Sequence, residues 1–160
     1  MSPRVFHVLF VCTHNSARSI MAEALLNHLG GPTWRAWSAG SHPSGQVRPQ
    51  AQQALAGLGV TADSARSKDW AEFARPDAPP LDFVITVCDQ AAGEVCPVWP
   101  GQPMTAHWGV PDPARDGAAT RDFLDAALTL KRRIELMLAL PLAGLERLAL
   151  QRALDHIGHA

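Results

Sequence analysis

The sequence predicts an α/β fold, a small open parallel sheet of about four strands with helices on both faces. Short apolar runs rich in β-branched and aromatic residues alternate along the chain with segments whose apolar residues recur at helical spacing. The length of 160 residues matches a single domain. Hydrophobic residues make up 47% of the chain and charged residues 18%, proportions that exclude a disordered protein.

The first half of the chain is predicted to form two β–α units. Residues 5–11 have the composition of a buried parallel strand and lead directly into a polar loop. Apolar residues then recur at helical spacing over 19–29, where a Gly-Gly-Pro sequence ends the helix. A short strand over 33–38, a loop over 40–49 and a helix over 51–58 continue the alternation.

The second half of the chain adds strands and a helical layer. Residues 81–87 form another near-continuous apolar run, which predicts a third strand. The span 96–113 holds five of the thirteen prolines, so we expect mostly loop there, with one short strand at 104–108. Helical periodicity returns over 119–140, and a last helix is expected over 142–157.

These elements predict a single domain over residues 1–160, with an α/β core over about 1–140 and a helical C-terminal extension over about 141–160. Ligands of open parallel sheets bind beyond the carboxyl ends of the strands. Cys12 follows the first apolar strand and Cys88 follows the third. If those two strands are neighbours, both thiols face the same crevice.

Charge and hydropathy exclude several classes of partner. Fourteen Lys and Arg against fifteen Asp and Glu give a net charge of -1, so no basic excess exists to bind nucleic acid or an anionic membrane. The longest apolar stretch is shorter than the roughly 18 residues of a membrane span. The N-terminal apolar run lacks an export cleavage site, so we expect a cytoplasmic protein whose cysteines are reactive thiols.

The first chemical motif is the loop that begins at Cys12 and ends at Arg18. Its backbone N–H groups are predicted to wrap a tetrahedral oxyanion at a helix N-terminus; the loop residues are Thr13, His14, Asn15, Ser16, Ala17 and Arg18. Arg18 adds a bidentate fork. The same field is expected to lower the pKa of Cys12 and ionise it at neutral pH, with Ser19 donating a hydrogen bond to the thiolate. The alternative is a buried inert cysteine beside a surface arginine.

Two further motifs lie downstream. Cys88 and Cys96 flank a Gly-containing segment, and reduction needs such thiols because a thiol that attacks a Cys12-bound intermediate supplies electrons. Taken alone, the pair fits a structural role equally well, whereas the lack of a Cys-x-x-Cys pair disfavours zinc. Asp112, before a proline in a loop, is a candidate general acid for a leaving oxygen, although an Asp-Pro pair is usually only a turn.

Taken together, these motifs resemble the low-molecular-weight protein tyrosine phosphatase family, and specifically its arsenate reductase branch. The resemblance runs from about residue 5 to residue 114 and includes the Cys12 loop, Trp-Ser-Ala-Gly at 37–40, Cys-Asp at 88–89 and His-Trp with Pro-Asp-Pro-Ala up to 114. It implies a relay in which Cys12 attacks arsenate, Asp112 assists the loss of water, and Cys88 releases arsenite. Cys96 then attacks the Cys12–Cys88 disulfide.

The resemblance also implies partners and a cation. The disulfide between Cys88 and Cys96 would be reduced by thioredoxin, or by glutathione and glutaredoxin, and phosphate and sulfate would compete with arsenate. In related enzymes a potassium ion steadies the loop, and the matching ligands here are Asn15, Glu23, Ser38 and Asp69. His14 stands where many members have glycine, so we expect it to accommodate the glycine backbone conformation.

Two other functions stay open from the sequence. A phosphatase acting on phosphotyrosine or a small phosphoester would use the same Cys12, Arg18 and Asp112. The cysteine pair favours the reductase, as does the lack of any tyrosine, since phosphatases of this fold commonly carry tyrosines after the Asp-Pro. A non-catalytic oxyanion sensor or redox-interaction module is the third alternative.

Overall fold

A computed structural model describes residues 4–62, 65–88, 99–113 and 120–160. Within those ranges the chain forms four strands and four α-helices. In chain order they are β1 (Phe6–Cys12), α1 (Arg18–Leu29), β2 (Trp34–Gly40), α2 (Pro49–Gly57), β3 (Phe83–Thr86), β4 (Met104–His107), α3 (Thr120–Leu138) and α4 (Arg147–Ile157). The predicted elements are all present, with ends that differ by a few residues.

The four strands form one parallel sheet in the order β2-β1-β3-β4. β1 therefore lies between β2 and β3, which confirms the condition under which two of the thiols share a crevice. Cys12, the last residue of β1, pairs with Gly40, the last residue of β2. All four carboxyl ends meet at one edge of the sheet, where such folds bind ligands.

Both faces of the sheet are covered. Five consecutive residues of β1, from Val8 to Cys12, are buried, although their side chains alternate between the two faces. On α1, Ile20, Met21 and Leu25 are fully buried. Burying an aliphatic side chain of this size contributes about 1.5–3 kcal/mol, so the β1–α1 unit is a large part of the core. An open parallel sheet covered by helices is the fold class that the sequence predicts.

The C-terminal segment packs onto the same core. Leu154 and Ile157 of α4 are buried within the hydrophobic cluster that includes the strands. The indole Nε1 of Trp108 donates a 3.0 Å hydrogen bond to the backbone oxygen of Leu154. Helix α4 thereby covers the start of the loop that follows β4. No helix in the described part of the chain is both long enough and apolar enough to cross a membrane.

Candidate functional site: an oxyanion loop with two thiols

The loop of residues 12–18 joins β1 to α1 and has its carbonyls turned outward. A neighbouring stretch, here called the outer segment (residues 41–48), donates three backbone N–H groups to it. The pairs are His42 N to Thr13 O at 2.8 Å, Ser44 N to His14 O at 3.0 Å and Arg48 N to Ser16 O at 2.8 Å. These three loop carbonyls are therefore satisfied by the outer segment and take no part in binding a ligand.

Asn15 is the residue that bends the loop. Its φ of 48° lies in the left-handed region, which asparagine tolerates better than most residues. The buried side chain donates from Nδ2 to Ser19 Oγ at 2.7 Å and accepts at Oδ1 from the backbone N–H of Lys68 at 2.9 Å. The expectation that His14 takes the glycine-like conformation is wrong, because the bend falls one residue later.

Gly40 at the end of β2 allows the loop to approach the sheet. A Cβ atom at this position would lie 2.5 Å from Thr13 O and 3.0 Å from Asn15 N. Such distances are shorter than van der Waals contact with backbone that cannot move away. The glycine of the Trp-Ser-Ala-Gly motif is therefore required by packing against the loop.

A pocket of about 520 Å³ opens in front of the loop. It is lined by Cys12, His14, Ser16, Ala17 and Arg18 of the loop, by Asp112, and by Ser44, Gln46, Val47, Arg48, Pro49 and Gln50. The side chains of Thr13 and Asn15 are buried away from solvent. Of the residues predicted to contact substrate, His14, Ser16, Ala17 and Arg18 thus line the pocket, whereas Thr13 and Asn15 do not.

Arg18 connects the two loops that border the pocket. One guanidinium nitrogen donates a 2.8 Å hydrogen bond to the backbone oxygen of Val110. The other lies 3.9 Å from Asp112 Oδ1. The Arg18 side chain is only 12% exposed, whereas that of Asp112 is 57% exposed. The structure therefore places the candidate acid at the rim of the pocket and the arginine within it, and the acid's catalytic role stays a prediction.

Two buried thiols meet behind the loop. Cys12 and Cys88 are free thiols, 4% and 2% exposed. The backbone N–H of Thr13 donates to Cys88 Sγ at 3.3 Å, and the Thr13 hydroxyl lies 3.4 Å from the same sulfur. The prediction that the Thr13 N–H wraps the anion is therefore wrong, because that N–H binds the second thiol.

The pKa of Cys12 is raised, which contradicts the predicted ionised thiol. The hydrogen bond with Cys88 is the largest cause and burial is the second, because each favours the neutral form. Arg18 and the backbone N–H of His14 act in the opposite direction and lower the pKa. The sequence prediction counted the helix N-terminus and the arginine but not a second thiol at hydrogen-bond distance. The predicted bond from Ser19 to the Cys12 thiolate stays a prediction.

Cys96 lies outside the described residues, as do its neighbours from 89 to 98 and residue Ala114. Its role in a relay therefore stays a prediction.

The residues predicted to bind potassium do not fit that ion. The Ser38 hydroxyl donates to the Glu23 carboxylate, but Lys68 Nζ lies 3.5 Å from the same hydroxyl oxygen. Asp69 is exposed, and its carboxylate accepts a 2.8 Å hydrogen bond from Ala71 N at the start of a 3-10 turn. A lysine ammonium thus lies beside Ser38, one of the predicted ligands, and the carboxylate of Asp69 is engaged elsewhere. Among the described residues, no group of three His, Cys, Asp or Glu side chains is arranged to hold a metal.

Two parts of the site were missed by sequence reasoning. The outer segment was treated only as a connection between β2 and α2, although it follows a strand at the ligand-binding edge and that position is itself a signal. Lys68 carries no recognisable signal, because a single lysine in a polar stretch is normally exposed.

Comparison with known proteins agrees with this geometry. Residues 7–147 match the model of the low molecular weight phosphotyrosine protein phosphatase family. An arsenate reductase of Halalkalibacterium halodurans is 36% identical over 108 residues, which cover 68% of this chain and 74% of that protein.

Solved structures give the same result. An arsenate reductase in the phosphate binding state has a TM-score of 0.71 at 30% identity and covers 84% of this chain and 98% of its own. A thioredoxin-dependent arsenate reductase of Corynebacterium glutamicum has a TM-score of 0.64 at 29% identity, covering 84% of this chain and 61% of that longer one. From the loop geometry, the sheet order and these matches, the chain belongs to the low molecular weight phosphotyrosine protein phosphatase family.

Proposed function

We propose that this protein is an arsenate reductase that converts arsenate to arsenite by a thiol–disulfide relay. The observation that carries the proposal is the position of the Cys88 thiol behind the oxyanion loop, where its sulfur lies 3.3 Å from the backbone N of Thr13, the residue that follows Cys12. Hydrolysis of a phosphoester needs one cysteine nucleophile, whereas reduction of a bound oxyanion needs a second thiol as electron donor. The similarity to named arsenate reductases supports the same reaction.

The first step is attack by Cys12 on arsenate held in the pocket. The loop N–H groups and the Arg18 guanidinium bind the oxyanion, and an anion in the pocket favours loss of the Cys12 proton to one of its basic oxygens. The Cys12 sulfur forms a bond to arsenic, and one As–O bond breaks. Asp112, at the rim of the pocket, protonates the departing oxygen so that it leaves as water.

The second step is the reduction. The Cys88 sulfur attacks the Cys12 sulfur, an S–S bond forms, and the S–As bond breaks with its electron pair kept by arsenic. The product is arsenite, in which arsenic has gained two electrons, and the two thiols have become a disulfide. Because the Cys88 sulfur accepts a hydrogen bond from the residue next to Cys12, this step begins with the second thiol held beside the nucleophile.

The third step regenerates Cys12. Cys96 attacks Cys88, the Cys12 thiol is released, and a Cys88–Cys96 disulfide remains for an external reductant. We propose thioredoxin as that reductant, since a structural neighbour is thioredoxin-dependent, with glutathione and glutaredoxin as the second system. Both systems operate in the reducing cytoplasm, which is where we place the reaction.

The proposal is tested by comparing two reactions in the same variants. Consumption of NADPH is followed with arsenate, thioredoxin and thioredoxin reductase, and hydrolysis of p-nitrophenyl phosphate is followed in parallel. Cys12→Ser is expected to abolish both reactions. Cys88→Ser and Cys96→Ser are expected to abolish repeated arsenate turnover and to leave the slower phosphoester hydrolysis in place.

The outcome that contradicts the proposal is equally specific. If neither thioredoxin nor glutaredoxin supports turnover of arsenate while Cys12-dependent phosphoester hydrolysis is efficient, the protein is a phosphatase. If neither reaction depends on Cys12, it is a non-catalytic module that binds oxyanions.

A further inference from the structure

Lys68 is one of the buried charged residues of the protein, with 7% of its surface exposed. Its ammonium donates to the backbone oxygen of Arg66 at 3.0 Å and lies 3.5 Å from Ser38 Oγ. The same Ser38 hydroxyl donates to the carboxylate of Glu23, which is itself mostly buried. A buried ammonium is tolerated only beside an opposite charge and hydrogen-bond acceptors, and Glu23, Ser38 and a carbonyl supply them.

The backbone of Lys68 is tied to the oxyanion loop. Its N–H donates to Asn15 Oδ1 at 2.9 Å, and its carbonyl accepts from Gly40 N at 2.9 Å. The preceding Ser67 hydroxyl donates to the carbonyl of His14 at 3.1 Å. One residue therefore fixes the left-handed bend of the loop through its main chain and the charge beneath the bend through its side chain.

Glu23 is the acidic residue on the other side of Ser38 from Lys68. Its carboxylate accepts a hydrogen bond from the Ser38 hydroxyl, whose oxygen lies 3.5 Å from Lys68 Nζ. A partly buried carboxylate needs a positive charge close by, because an unpaired buried charge is strongly destabilising. The resemblance to the family implied a potassium ion among these residues, and here the chain's own ammonium lies next to Ser38, one of the implied ligands.

We infer that Lys68 is a positioning residue that replaces a bound monovalent cation beneath the oxyanion loop. The protein then binds tetrahedral oxyanions without any requirement for potassium. This inference deepens the proposed function of the same site, but it concerns oxyanion binding and cation dependence, which are measured without arsenate turnover.

Glu23 also lines a second, polar cavity of about 260 Å³ together with Asn27, His28 and Arg35, so solvent and ions reach this side of Glu23. Removing the Lys68 side chain takes away the ammonium next to Ser38 and leaves space there for a free cation. The alanine variant is therefore expected to acquire the cation dependence that the wild type lacks.

The experiment measures binding of inorganic phosphate by isothermal titration calorimetry, together with the melting temperature, at matched ionic strength in potassium, ammonium and choline chloride. Wild type is expected to bind phosphate with affinities within about twofold of one another in the three salts. Lys68→Ala is expected to bind about tenfold more weakly in choline, within the usual range for coupling between two sites, and to recover in potassium and ammonium.

The control is the other lysine of the chain, Lys131, which is part of an exposed ion pair with Glu135 on α3. Lys131→Ala should match wild type in every salt. The inference is overturned if wild type binds phosphate several-fold more tightly in potassium chloride than in choline chloride. It is equally overturned if the melting temperature of wild type is several degrees higher in potassium chloride. It is also overturned if Lys68→Ala binds phosphate as wild type does in choline.

If Lys68→Ala fails to fold, the inference can still be tested on wild type. The wild-type comparison of potassium with choline needs no substitution, and calorimetric titration of wild type with potassium chloride should show no binding. If arsenate reduction is absent but phosphate binding follows the expected pattern, the proposed function fails and the role of Lys68 stands.

Discussion

The two loops that border the pocket are held in different ways. The oxyanion loop (residues 12–18) is fixed along its length, by the outer segment on one side and by Asn15 and Lys68 beneath it. The acid loop (residues 108–113) is fixed at its start, where Trp108 is buried, but the Asp112 side chain near its end is 57% exposed. The oxyanion loop is therefore preorganised, whereas the acid loop presents a more exposed carboxylate at the rim of the pocket.

Each loop is also supported by its own buried cation, and the two cations act differently. Lys68 lies near the Glu23 carboxylate, so it supports the oxyanion loop through its positive charge. Arg133 on α3 donates from one guanidinium nitrogen to the backbone oxygens of Trp108 and Gly109, both at 3.0 Å, so its contribution is the geometry of its fork. Burial lowers the pKa of Arg133, but a guanidinium remains charged. One loop thus depends on electrostatics and the other on directed hydrogen bonds.

The largest expected effect comes from Arg18, which contacts both loops. Arg18→Ala removes the fork for the oxyanion, the bond to the Val110 carbonyl and the charge near Asp112. We expect kcat/KM for arsenate to fall about 1,000-fold, as when a key donor to the reacting oxyanion is lost. Steady-state kinetics measures the fall in kcat/KM, and calorimetry with phosphate measures the loss of oxyanion affinity. The control is Arg35→Ala, on the exposed face of β2. A normal phosphate affinity in Arg18→Ala would contradict the prediction.

The second effect concerns the fixed loop alone. Gly40→Ala places a methyl group 2.5 Å from Thr13 O, so the loop or the sheet must shift. We expect a loss of about 3 kcal/mol in the free energy of unfolding, at the upper end for overpacking, together with weaker phosphate binding. Gly57→Ala is the matched control, since no atom lies within 4 Å of its added Cβ. That control should gain roughly 0.5 kcal/mol, because alanine favours a helix. Equal stability of the two variants in urea denaturation would refute the packing argument.

The third effect separates the loops. Arg133→Met keeps the side-chain volume but leaves the carbonyls of Trp108 and Gly109 without their donor. We expect a destabilisation of about 2 kcal/mol, typical for buried groups that lose a partner. Because the oxyanion loop is held elsewhere, the affinity for phosphate should stay close to that of wild type while kcat falls. A variant that loses phosphate affinity instead would show that the two loops are not independent.

The smallest effect is a shift in titration. The Cys88 thiol is the largest cause of the raised pKa of Cys12, so Cys88→Ala should lower that pKa. A lower pKa means that more of Cys12 is thiolate at neutral pH, and its alkylation by iodoacetamide should then be faster. We expect the midpoint of the rate–pH profile to fall to lower pH. An unchanged or higher midpoint would show that Cys88 is not the cause.

The fold was predictable from the sequence because its signals are local and repeated. The apolar run of β1 and the helical spacing of α1 each reflect burial, which acts on every residue of an element. The strand order 2-1-3-4 makes β1 and β3 neighbours, which is the condition that the sequence prediction of a shared crevice left open. Cys12 lines the pocket, whereas Cys88 is buried behind the loop. The Cys12 loop and Asp112 were found because their residue types are required by the chemistry.

The remaining features could not be predicted because they depend on distances between separate segments. The raised pKa of Cys12 requires the Cys88 thiol to be at hydrogen-bond distance, which no spacing reveals. The same holds for Thr13, whose N–H binds a sulfur 75 positions away. Lys68 is distant in sequence from Glu23, and its burial follows only from the packing of three segments. Electrostatics at the site is therefore a property of tertiary structure, whereas the fold is largely a property of sequence pattern.

The outward pairing of the loop carbonyls bears on how the protein would distinguish one oxyanion from another. A loop that has its binding conformation before the ligand arrives selects ligands by shape and charge, and arsenate and phosphate are nearly alike in both. Selection between them then falls on the electron-transfer step, because arsenic accepts an electron pair under mild conditions and phosphorus does not. Phosphate would slow the enzyme as a reversible occupant but would never be turned into a wrong product. Fidelity would thus reside in the redox chemistry of the substrate, while the loop determines only how often the site is free.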